Sequence, residues 1–147
     1  PGAVAIVPIL DDGRWVMVRQ YRHPVGRILL EWPAGKLDKH EPVLACAVRE
    51  LREETGYTAR EWARAGVFHN ACAYSDEGIE IWFARGLQAG AQSLDQGEFV
   101  ETVFHTEAEV MAMVHRGDIT DMKTALGAMW AQRSRSEGWS LDWHPAP

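Results

Sequence analysis

The chain has 147 residues, enough for one ordinary domain and too few for two. Hydrophobic residues make up 46% and charged residues 24%, the proportions of a globular protein and not of a disordered one. The net charge of −6 argues against a general nucleic-acid or membrane-surface binder, because such proteins need a basic face. We therefore expect a single domain over residues 1–147, with no nucleic-acid or membrane partner.

The cysteine content and the chain ends suggest where the protein acts. Cys46 and Cys72 are too few for a disulfide framework, which favours a reducing compartment and a cytoplasmic protein. No apolar run approaches the roughly 20 residues of a membrane span, and no signal-peptide pattern opens the chain. Because the chain begins at Pro1 and not at Met, we expect that a segment precedes it.

The first half of the chain predicts two strands and a helix. Ala3–Ile9 and Arg14–Gln20 are β-rich runs on either side of Asp11-Asp12-Gly13, a pattern typical of a hairpin. From Val43 to Thr55 the apolar residues recur at helical spacing, and Gly56 follows as a stop signal. The helix is therefore predicted over Val43–Thr55.

The second half predicts three strands and then two helices. The strands are predicted near Trp62–Asn70, Ile79–Gly86 and Phe99–His105. A capping box at Thr106-Glu107-Ala108-Glu109 opens a helix to about His115, a last helix begins within Asp118–Thr124 and ends near Arg133, and residues 134–147 are predicted to be irregular. Strands interleaved with helices favour an α+β fold, with a mixed β-sheet between helices.

Four charged residues on the predicted helix are placed for metal chemistry. Glu50 and Glu54 are four residues apart, about 40° apart in projection, so their carboxylates can converge beside the apolar face. Arg49 and Glu53 have the same spacing and opposite charges, so they can pair. Two converging carboxylates repel unless a cation lies between them, and oxygen ligands suit Mg²⁺ or Mn²⁺ better than zinc.

The spacing of residue types from Gly35 to Tyr57 resembles the signature of the Nudix hydrolases. The matching positions are Gly35, Glu41, Arg49, Glu50, Leu51, Glu53, Glu54 and Gly56, and only Tyr57 departs, since an aliphatic residue is more usual there. The seven charged and glycine matches among them, at about 7% usage each, occur by chance about once in 10⁸ registers. The resemblance implies a Nudix-like α/β/α sandwich and a diphosphatase that acts on a nucleoside diphosphate linked to another moiety.

The same resemblance implies roles for individual residues. The metal ligands would be Glu50, Glu54 and the backbone carbonyl of Ala34, with Mg²⁺ as the cofactor and Mn²⁺ as a substitute. The catalytic residues would be Glu53, Arg49 and Glu98. Glu53 would be a third carboxylate, either a ligand or an orienting partner, steadied by Arg49, and Glu98 would be a distal carboxylate that assists the metal or the attacking water.

Segments outside the signature resemble the ADP-ribose pyrophosphatase branch of the family. They are Pro1–Ala5, Arg19–Arg22, Glu31–Lys36, Tyr74–Glu77 and Asp121–Thr124. The resemblance implies that Arg22 contacts the diphosphate, that Glu31 lies near the nucleotide pocket and that the enzyme is a homodimer. Tyr74 is a further candidate for substrate contact. Trp32 either stacks on the adenine base or fills the core or a dimer contact.

Two departures from that branch keep other substrates open. Cys72 stands where the branch has a proline, and Tyr74 lies where dinucleoside polyphosphate hydrolases also carry a tyrosine. Gln96 stands where a further glutamate is common, so Glu98 would act alone. We expect hydrolysis of ADP-ribose to AMP and ribose 5-phosphate. The alternatives are a dinucleoside polyphosphate or nucleotide-sugar hydrolase, or an inactive Nudix-fold nucleotide-binding module.

Overall fold

A computed structural model describes residues 2–147 of the chain, and Pro1 lies outside the described residues. The helices are α1 (Val43–Thr55), α2 (Glu107–His115) and α3 (Met122–Ser136). The strands are β1 (Gly2–Pro8), β2 (Trp15–Arg22), β3 (Arg27–Glu31), β4 (Ala34–Lys36), β5 (Thr58–His69), β6 (Gly78–Gln88), β7 (Val100–His105) and β8 (Trp143–Pro145). No helix within residues 2–147 is long and apolar enough to cross a membrane.

Strand β1 lies inside a mixed five-stranded sheet and contributes to two separate cores. The strand order is β4-β1-β6-β5-β8, in which β1 pairs parallel with β6 and the other pairs are antiparallel. Val4 and Ile6 pack in one cluster with Leu51 of α1, whereas Ala5 packs in a second cluster with Ala128 of α3. Because side chains alternate across a strand, β1 joins helices on both faces of the sheet, which is the α+β layering that the sequence predicts.

The hairpin predicted from Ala3–Ile9 and Arg14–Gln20 is wrong, because its two strands enter different sheets. β2 is the central strand of a three-stranded antiparallel sheet of order β3-β2-β7, and among residues 2–147 its pairing with the preceding segment is limited to one antiparallel bridge between Trp15 and Ile9, just beyond the end of β1. Residues 4–8 and 15–18 are buried without alternation. Such runs are typical of strands that are covered on both faces, whereas a hairpin with one face in solvent would show alternation.

The elements after α1 agree with the predictions except in the tail, whereas no strand was predicted where β3 and β4 lie. The three predicted strands correspond to β5, β6 and β7, and the capping box is confirmed, since the Thr106 hydroxyl accepts from the Glu109 N–H at 3.2 Å. The irregular tail over residues 134–147 is wrong in part. Helix α3 continues to Ser136, and β8 pairs with the edge of β5 while Trp143 packs under the Arg85 guanidinium. A three-residue strand carries no periodic pattern, so its pairing depends on the edge that β5 offers.

Candidate active site

A polar cavity of about 590 Å³ opens between α1, β1 and β4. Its acidic lining residues are Asp38, Glu50, Glu54, Glu77, Asp95 and Glu98, and its basic lining residues are Arg22, Lys36, Arg49 and Lys123. The six carboxylates outnumber the four cationic groups. An anionic substrate therefore needs an added cation at the acidic end of the cavity.

Glu50 and Glu54 form the acidic end, and both are largely removed from solvent. Burial raises the pKa of Glu54 to about 8, and the nearby charges of Glu50 and Glu98 raise it too. Burial likewise raises the pKa of Glu50 to about 7, against the opposing effect of the Arg49 guanidinium. The N–H of Ala34 donates to Glu54 Oε2 at 3.1 Å. Two carboxylates that hold protons this strongly would be ionised by a divalent cation placed between them.

The donors around Glu50 and Glu54 fit a hard cation such as Mg²⁺. The polar side chains that line the cavity offer oxygen or nitrogen from Asp, Glu, Asn, Gln, Lys or Arg, and no His or Cys is among the residues of 2–147 that line it. Within residues 2–147 no group of three or more His, Cys, Asp or Glu side chains is arranged to hold a metal ion. Mg²⁺ commonly takes one or two carboxylates and completes its shell with water and substrate phosphate, so two glutamates are a sufficient protein contribution.

Gly35 is required at its position by its contact with Glu50. A Cβ atom at Gly35 would lie 2.0 Å from both the Glu50 carboxyl carbon and its Oε1 atom. Real Cβ atoms do not approach so closely, so any side chain here would displace the Glu50 carboxylate. The glycine of the signature is explained by this close approach of backbone to carboxylate.

Arg49 organises the carboxylates of the signature. Its guanidinium forms a bidentate pair with Glu41, at 2.8 Å and 3.0 Å, and its Nη1 donates to Glu50 at 2.8 Å and to Glu53 at 3.1 Å. The predicted Arg49–Glu53 pair is therefore confirmed, and Glu41 is the partner for which the sequence predicted no role. The bonds with Arg49 lower the pKa of Glu41 to about 2. Arg49 thus fixes the side of the helix from which Glu50 reaches the cavity.

The loop that carries Glu98 is fastened to the C-terminal end of α1. The Gln92 side-chain amide donates to the carbonyl oxygens of Glu54 and Val100, and the Ser93 N–H donates to the Glu53 carbonyl at 2.9 Å. Glu98 lines the cavity with Glu50 and Glu54, as the sequence predicted for a distal carboxylate. Sequence reasoning missed Gln92, since a glutamine in a polar loop carries no signal until its partners are known.

Arg22 and Lys123 give the cavity a cationic part. Arg22 donates to Glu31 through Nε at 2.7 Å and Nη2 at 2.8 Å, and Lys123 Nζ donates to Glu31 at 2.7 Å and to Asp121 at 3.0 Å. Burial alone would raise the pKa of Glu31, but the hydrogen bonds and charges of Arg22 and Lys123 outweigh it and hold that pKa below its ordinary value. Arg22 and Lys123 line the cavity, and Lys123 is a residue to which the sequence assigned no role.

Glu31 and Trp32, both predicted as substrate-binding residues, are buried in the structure. Glu31 is 1% exposed and binds Arg22 and Lys123, which line the cavity, so its predicted place near the nucleotide pocket stays a prediction. Trp32 is also 1% exposed, and its Nε1 donates to the Thr124 carbonyl at 2.9 Å. The stacking of Trp32 on a base is therefore wrong, and its alternative as a core residue is confirmed. Bulk and amphipathic character are the same for both roles, so the sequence could not separate them.

The substrate contact of Tyr74 and the metal ligation by the Ala34 carbonyl stay predictions. Tyr74 is 88% exposed in the turn between β5 and β6, and it is not among the residues of 2–147 that line the cavity. Ala34 lines the cavity and binds Glu54 through its N–H, whereas the ligand role was predicted for its carbonyl.

Comparison with known proteins places these features in a family. The family model described as NUDIX domain matches residues 1–125. The ADP-ribose pyrophosphatase of Bacillus subtilis (strain 168) is 37% identical over 134 residues, which are 90% of this chain and 72% of that protein. The methanol dehydrogenase activator of Bacillus methanolicus is also 37% identical over 134 residues, with the same coverage. A crystal structure of an ADP compounds hydrolase superposes with a TM-score of 0.82 at 25% identity, covering 93% of this chain and 74% of that one.

Proposed function

The chain belongs to the Nudix family of hydrolases, and we propose that it cleaves ADP-ribose to AMP and ribose 5-phosphate with the help of Mg²⁺. The observation that carries the proposal is the mixed charge of the cavity, in which Glu50 and Glu54 share the lining with Arg22. A diphosphate needs both kinds of group, because a cation held by carboxylates neutralises one part of its charge and arginine the other. The ADP-ribose pyrophosphatase of Bacillus subtilis and the ADP compounds hydrolase point to the substrate class.

Each residue of the acidic end has a separate task in this proposal. Glu50 and Glu54 hold the divalent cation, together with the Ala34 carbonyl, and Arg49 keeps Glu50 and Glu53 in place. When bound, Mg²⁺, or Mn²⁺ in its place, neutralises charge on the diphosphate and lowers the pKa of a bound water. The protein's own contribution is to hold these carboxylates in one arrangement. This suits a reaction that depends mostly on positioning and electrostatics.

Glu98 is the base of the proposed reaction. It lines the cavity on a loop that is fastened to α1, so its carboxylate is held on the same side as Glu50 and Glu54. A carboxylate in this place can accept the proton of the attacking water. Gln96 cannot perform this task, since an amide does not accept a proton at neutral pH. Arg22 binds the non-bridging oxygens of the diphosphate, where its charge also stabilises the transition state.

The other readings differ in substrate or in activity. A dinucleoside polyphosphate or nucleotide-sugar hydrolase would use the same carboxylates, and Cys72 and Tyr74 leave these substrates open. Neither residue is among those of 2–147 that line the cavity. An inactive nucleotide-binding module is disfavoured because Glu50, Glu53 and Glu54 are all present and are joined through Arg49 or the cavity.

The test is a comparison of substrates. The protein is incubated with Mg²⁺ and, in separate reactions, ADP-ribose, diadenosine tetraphosphate and a nucleotide-sugar, and the products are identified by mass. We expect ADP-ribose to be cleaved fastest, to AMP and ribose 5-phosphate, and removal of divalent cations by a chelator to stop the reaction. Faster cleavage of diadenosine tetraphosphate or the nucleotide-sugar would contradict ADP-ribose as the substrate and favour that compound instead. Nucleotide binding without turnover would favour the inactive module.

The homodimer and the cytoplasmic location are also part of the proposal. Tyr21, Ile28 and Phe99 are exposed around one shallow surface depression beside β2 and β3, which gives an apolar surface on which a second copy can pack. We expect a dimer by light scattering in solution, and a monomer at all concentrations would remove this part of the proposal.

A further inference from the structure

We infer that Lys123 is a second cationic ligand for the diphosphate of the substrate, and that Glu31 positions Lys123 and Arg22 as a pair. The inference rests on the proposed function, because it deepens the account of the same cavity. Nothing in the family signature points to Lys123, which lies far along the chain from it, at the second position of α3.

Arg22 Nη2 and Lys123 Nζ lie close together. Glu31 Oε1 accepts a hydrogen bond from Arg22 Nη2 at 2.8 Å and another from Lys123 Nζ at 2.7 Å. Because both donors share one oxygen atom, they are at most 5.5 Å apart, the two bonds laid end to end. Two cations this close can donate to oxygens of one phosphate group or of two adjoining phosphates.

The Lys123 ammonium has one more donor than its two hydrogen bonds to Glu31 and Asp121 use. An ammonium group carries three donors, and the structure shows hydrogen bonds from Lys123 Nζ to Glu31 and to Asp121. Lys123 lines the cavity with its side chain 15% exposed, so the third donor has access to a ligand there. One donor of the ammonium therefore remains for a ligand in the cavity that Lys123 shares with Arg22.

Several hydrogen bonds around the first turn of α3 hold Lys123 in place. Asp121 caps α3 by accepting from the Thr124 N–H at 3.1 Å, and the Thr124 carbonyl accepts from Trp32 Nε1 at 2.9 Å. Trp32 follows Glu31 directly in the chain, so the same short segment anchors the first turn of α3 and supplies the carboxylate for Lys123. The ammonium is held in one place before any ligand arrives, which is how a binding group avoids an ordering cost.

Burying the Glu31 carboxylate costs desolvation free energy. Glu31 has a side chain only 2% exposed, and a buried ion pair gains little stability over a packed apolar pair. Stability alone therefore does not explain a buried glutamate with two cations above it. The arrangement is explained if Glu31 holds both cations at the wall of the cavity for an anionic ligand.

Direct contact can be separated from an action through Arg22 by a double-mutant cycle. The variants are Lys123→Met, Arg22→Met and the double variant, with Lys39→Met as the control, since Lys39 carries the same charge and is exposed outside the cavity lining. The dissociation constant of ADP is measured for each by calorimetry in Mg²⁺, and ADP-ribose turnover is measured in parallel. The conservative variant Lys123→Arg is added as a rescue of the charge.

We expect Lys123→Met to weaken ADP binding by about tenfold to a hundredfold, in line with the loss of one charge-assisted hydrogen bond. The same substitution should weaken binding further in the Arg22→Met background, Lys123→Arg should restore most of it, and Lys39→Met should leave it unchanged. No added loss in the Arg22→Met background would overturn the inference, because Lys123 would then act only through Arg22. Unchanged ADP binding in Lys123→Met would overturn it as well.

The two proposals fail in different ways. If the unmodified protein turns over ADP-ribose while Lys123→Met binds ADP normally, only the role of Lys123 is overturned. If ADP binding depends on Lys123 while ADP-ribose is not cleaved, the role of Lys123 is supported and the proposed substrate is wrong.

Discussion

Arg49 shows how one residue sets the geometry of a whole acidic site. Its Nε, Nη1 and Nη2 atoms donate four hydrogen bonds to Glu41, Glu50 and Glu53, and these bonds hold like charges together that would otherwise repel. The sequence predicted the pair with Glu53 from helical spacing. It could not predict the bond to Glu41, because Glu41 precedes the helix and its direction depends on the loop.

Replacing Arg49 by lysine keeps the charge and removes the fork of donors. We expect Arg49→Lys to lower ADP-ribose turnover by about 10–100-fold and to raise the Mg²⁺ concentration needed for half-maximal rate, as for residues that orient metal ligands. Arg52→Lys is the control, because Arg52 is exposed on the same helix. A full rate for Arg49→Lys would mean that charge alone suffices and that the fork of bonds is not needed.

A second prediction at this scale concerns Gly35. In Gly35→Ala the new Cβ meets the Glu50 carboxylate at 2.0 Å, so Glu50 must move away from the cavity. We expect a folded protein with turnover lowered by about 100-fold, the typical effect of an ångström-scale misplacement. Gly2→Ala is the matched control in the neighbouring strand, where the nearest atom to the new Cβ lies at 3.5 Å. Equal rates for the two variants would contradict the role given to Gly35.

Residues differ in how far the sequence revealed them. Glu50, Glu54 and Glu98 were found because their spacing and resemblance mark them, and the structure brings all three to one cavity. Lys123 was named only as part of the Asp121–Thr124 segment and received no role, because its neighbours Glu31 and Arg22 are about a hundred residues away in the chain and no local pattern joins them. A functional lysine of this kind is visible only after folding.

At the scale of elements, α1 and the loop that carries Glu98 behave as one unit. Gly56 ends α1 with a φ of 78°, and a Cβ atom there would lie 2.2 Å from the Gly90 carbonyl oxygen. The backbone of the loop therefore packs directly on the end of the helix. This contact transmits the position of α1 to the loop on which Glu98 lies.

The contact predicts two different costs for two glycines with similar backbone angles. Gly117 has a φ of 83°, and no atom lies within 4 Å of the Cβ that alanine would add. We expect Gly117→Ala to lower the free energy of unfolding by only about 1–2 kcal/mol, the cost of the left-handed conformation for alanine. Gly56→Ala should lose more, because its Cβ also meets the Gly90 backbone, and should lose turnover as the Glu98 loop moves. The free energy of unfolding from urea titration and the turnover rate check both. Equal losses of stability with full activity in Gly56→Ala would contradict the coupling.

Elements with a strong local pattern were predicted well, and those defined by distant pairing were not. Helix α1 was predicted with its observed bounds, because apolar periodicity and Gly56 are local signals. Strands β3, β4 and β8 are three to five residues long, and their formation depends on the edges of other strands. The failed hairpin has the same cause, since β1 and β2 were predicted correctly as strands and only their partners were not.

For the molecule as a whole, the acidic cavity makes stability depend on pH in the absence of metal. The raised pKa values of Glu50, about 7, and Glu54, about 8, mean that the folded protein binds protons that the unfolded chain releases above an ordinary pKa of 4.5. Their stabilising contribution is complete below about pH 4.5 and is lost as the pH rises through about 7 to 8.

We therefore expect the free energy of unfolding of the metal-free protein to fall between about pH 5 and about pH 9. Urea titrations in a chelating buffer measure it, and Glu54→Gln should flatten the decline because one of the two groups no longer titrates. Added Mg²⁺ should stabilise the protein more at the alkaline end, where the carboxylates are ionised. A free energy of unfolding that is constant or rises over this range would contradict the placement of the two buried glutamates.

The central claim is that a divalent cation held by Glu50 and Glu54 of α1 enables this chain to cleave the diphosphate of ADP-ribose. The most direct measurement is the ADP-ribose turnover rate as a function of Mg²⁺ concentration, for the unmodified protein and for Glu54→Gln. Glu101→Gln serves as the control on an exposed strand position. We expect saturable, Mg²⁺-dependent release of AMP and ribose 5-phosphate from the unmodified protein and the control, and a loss of at least about 100-fold in Glu54→Gln. Turnover that is independent of Mg²⁺, or a Glu54→Gln variant as fast as the control, would contradict the account.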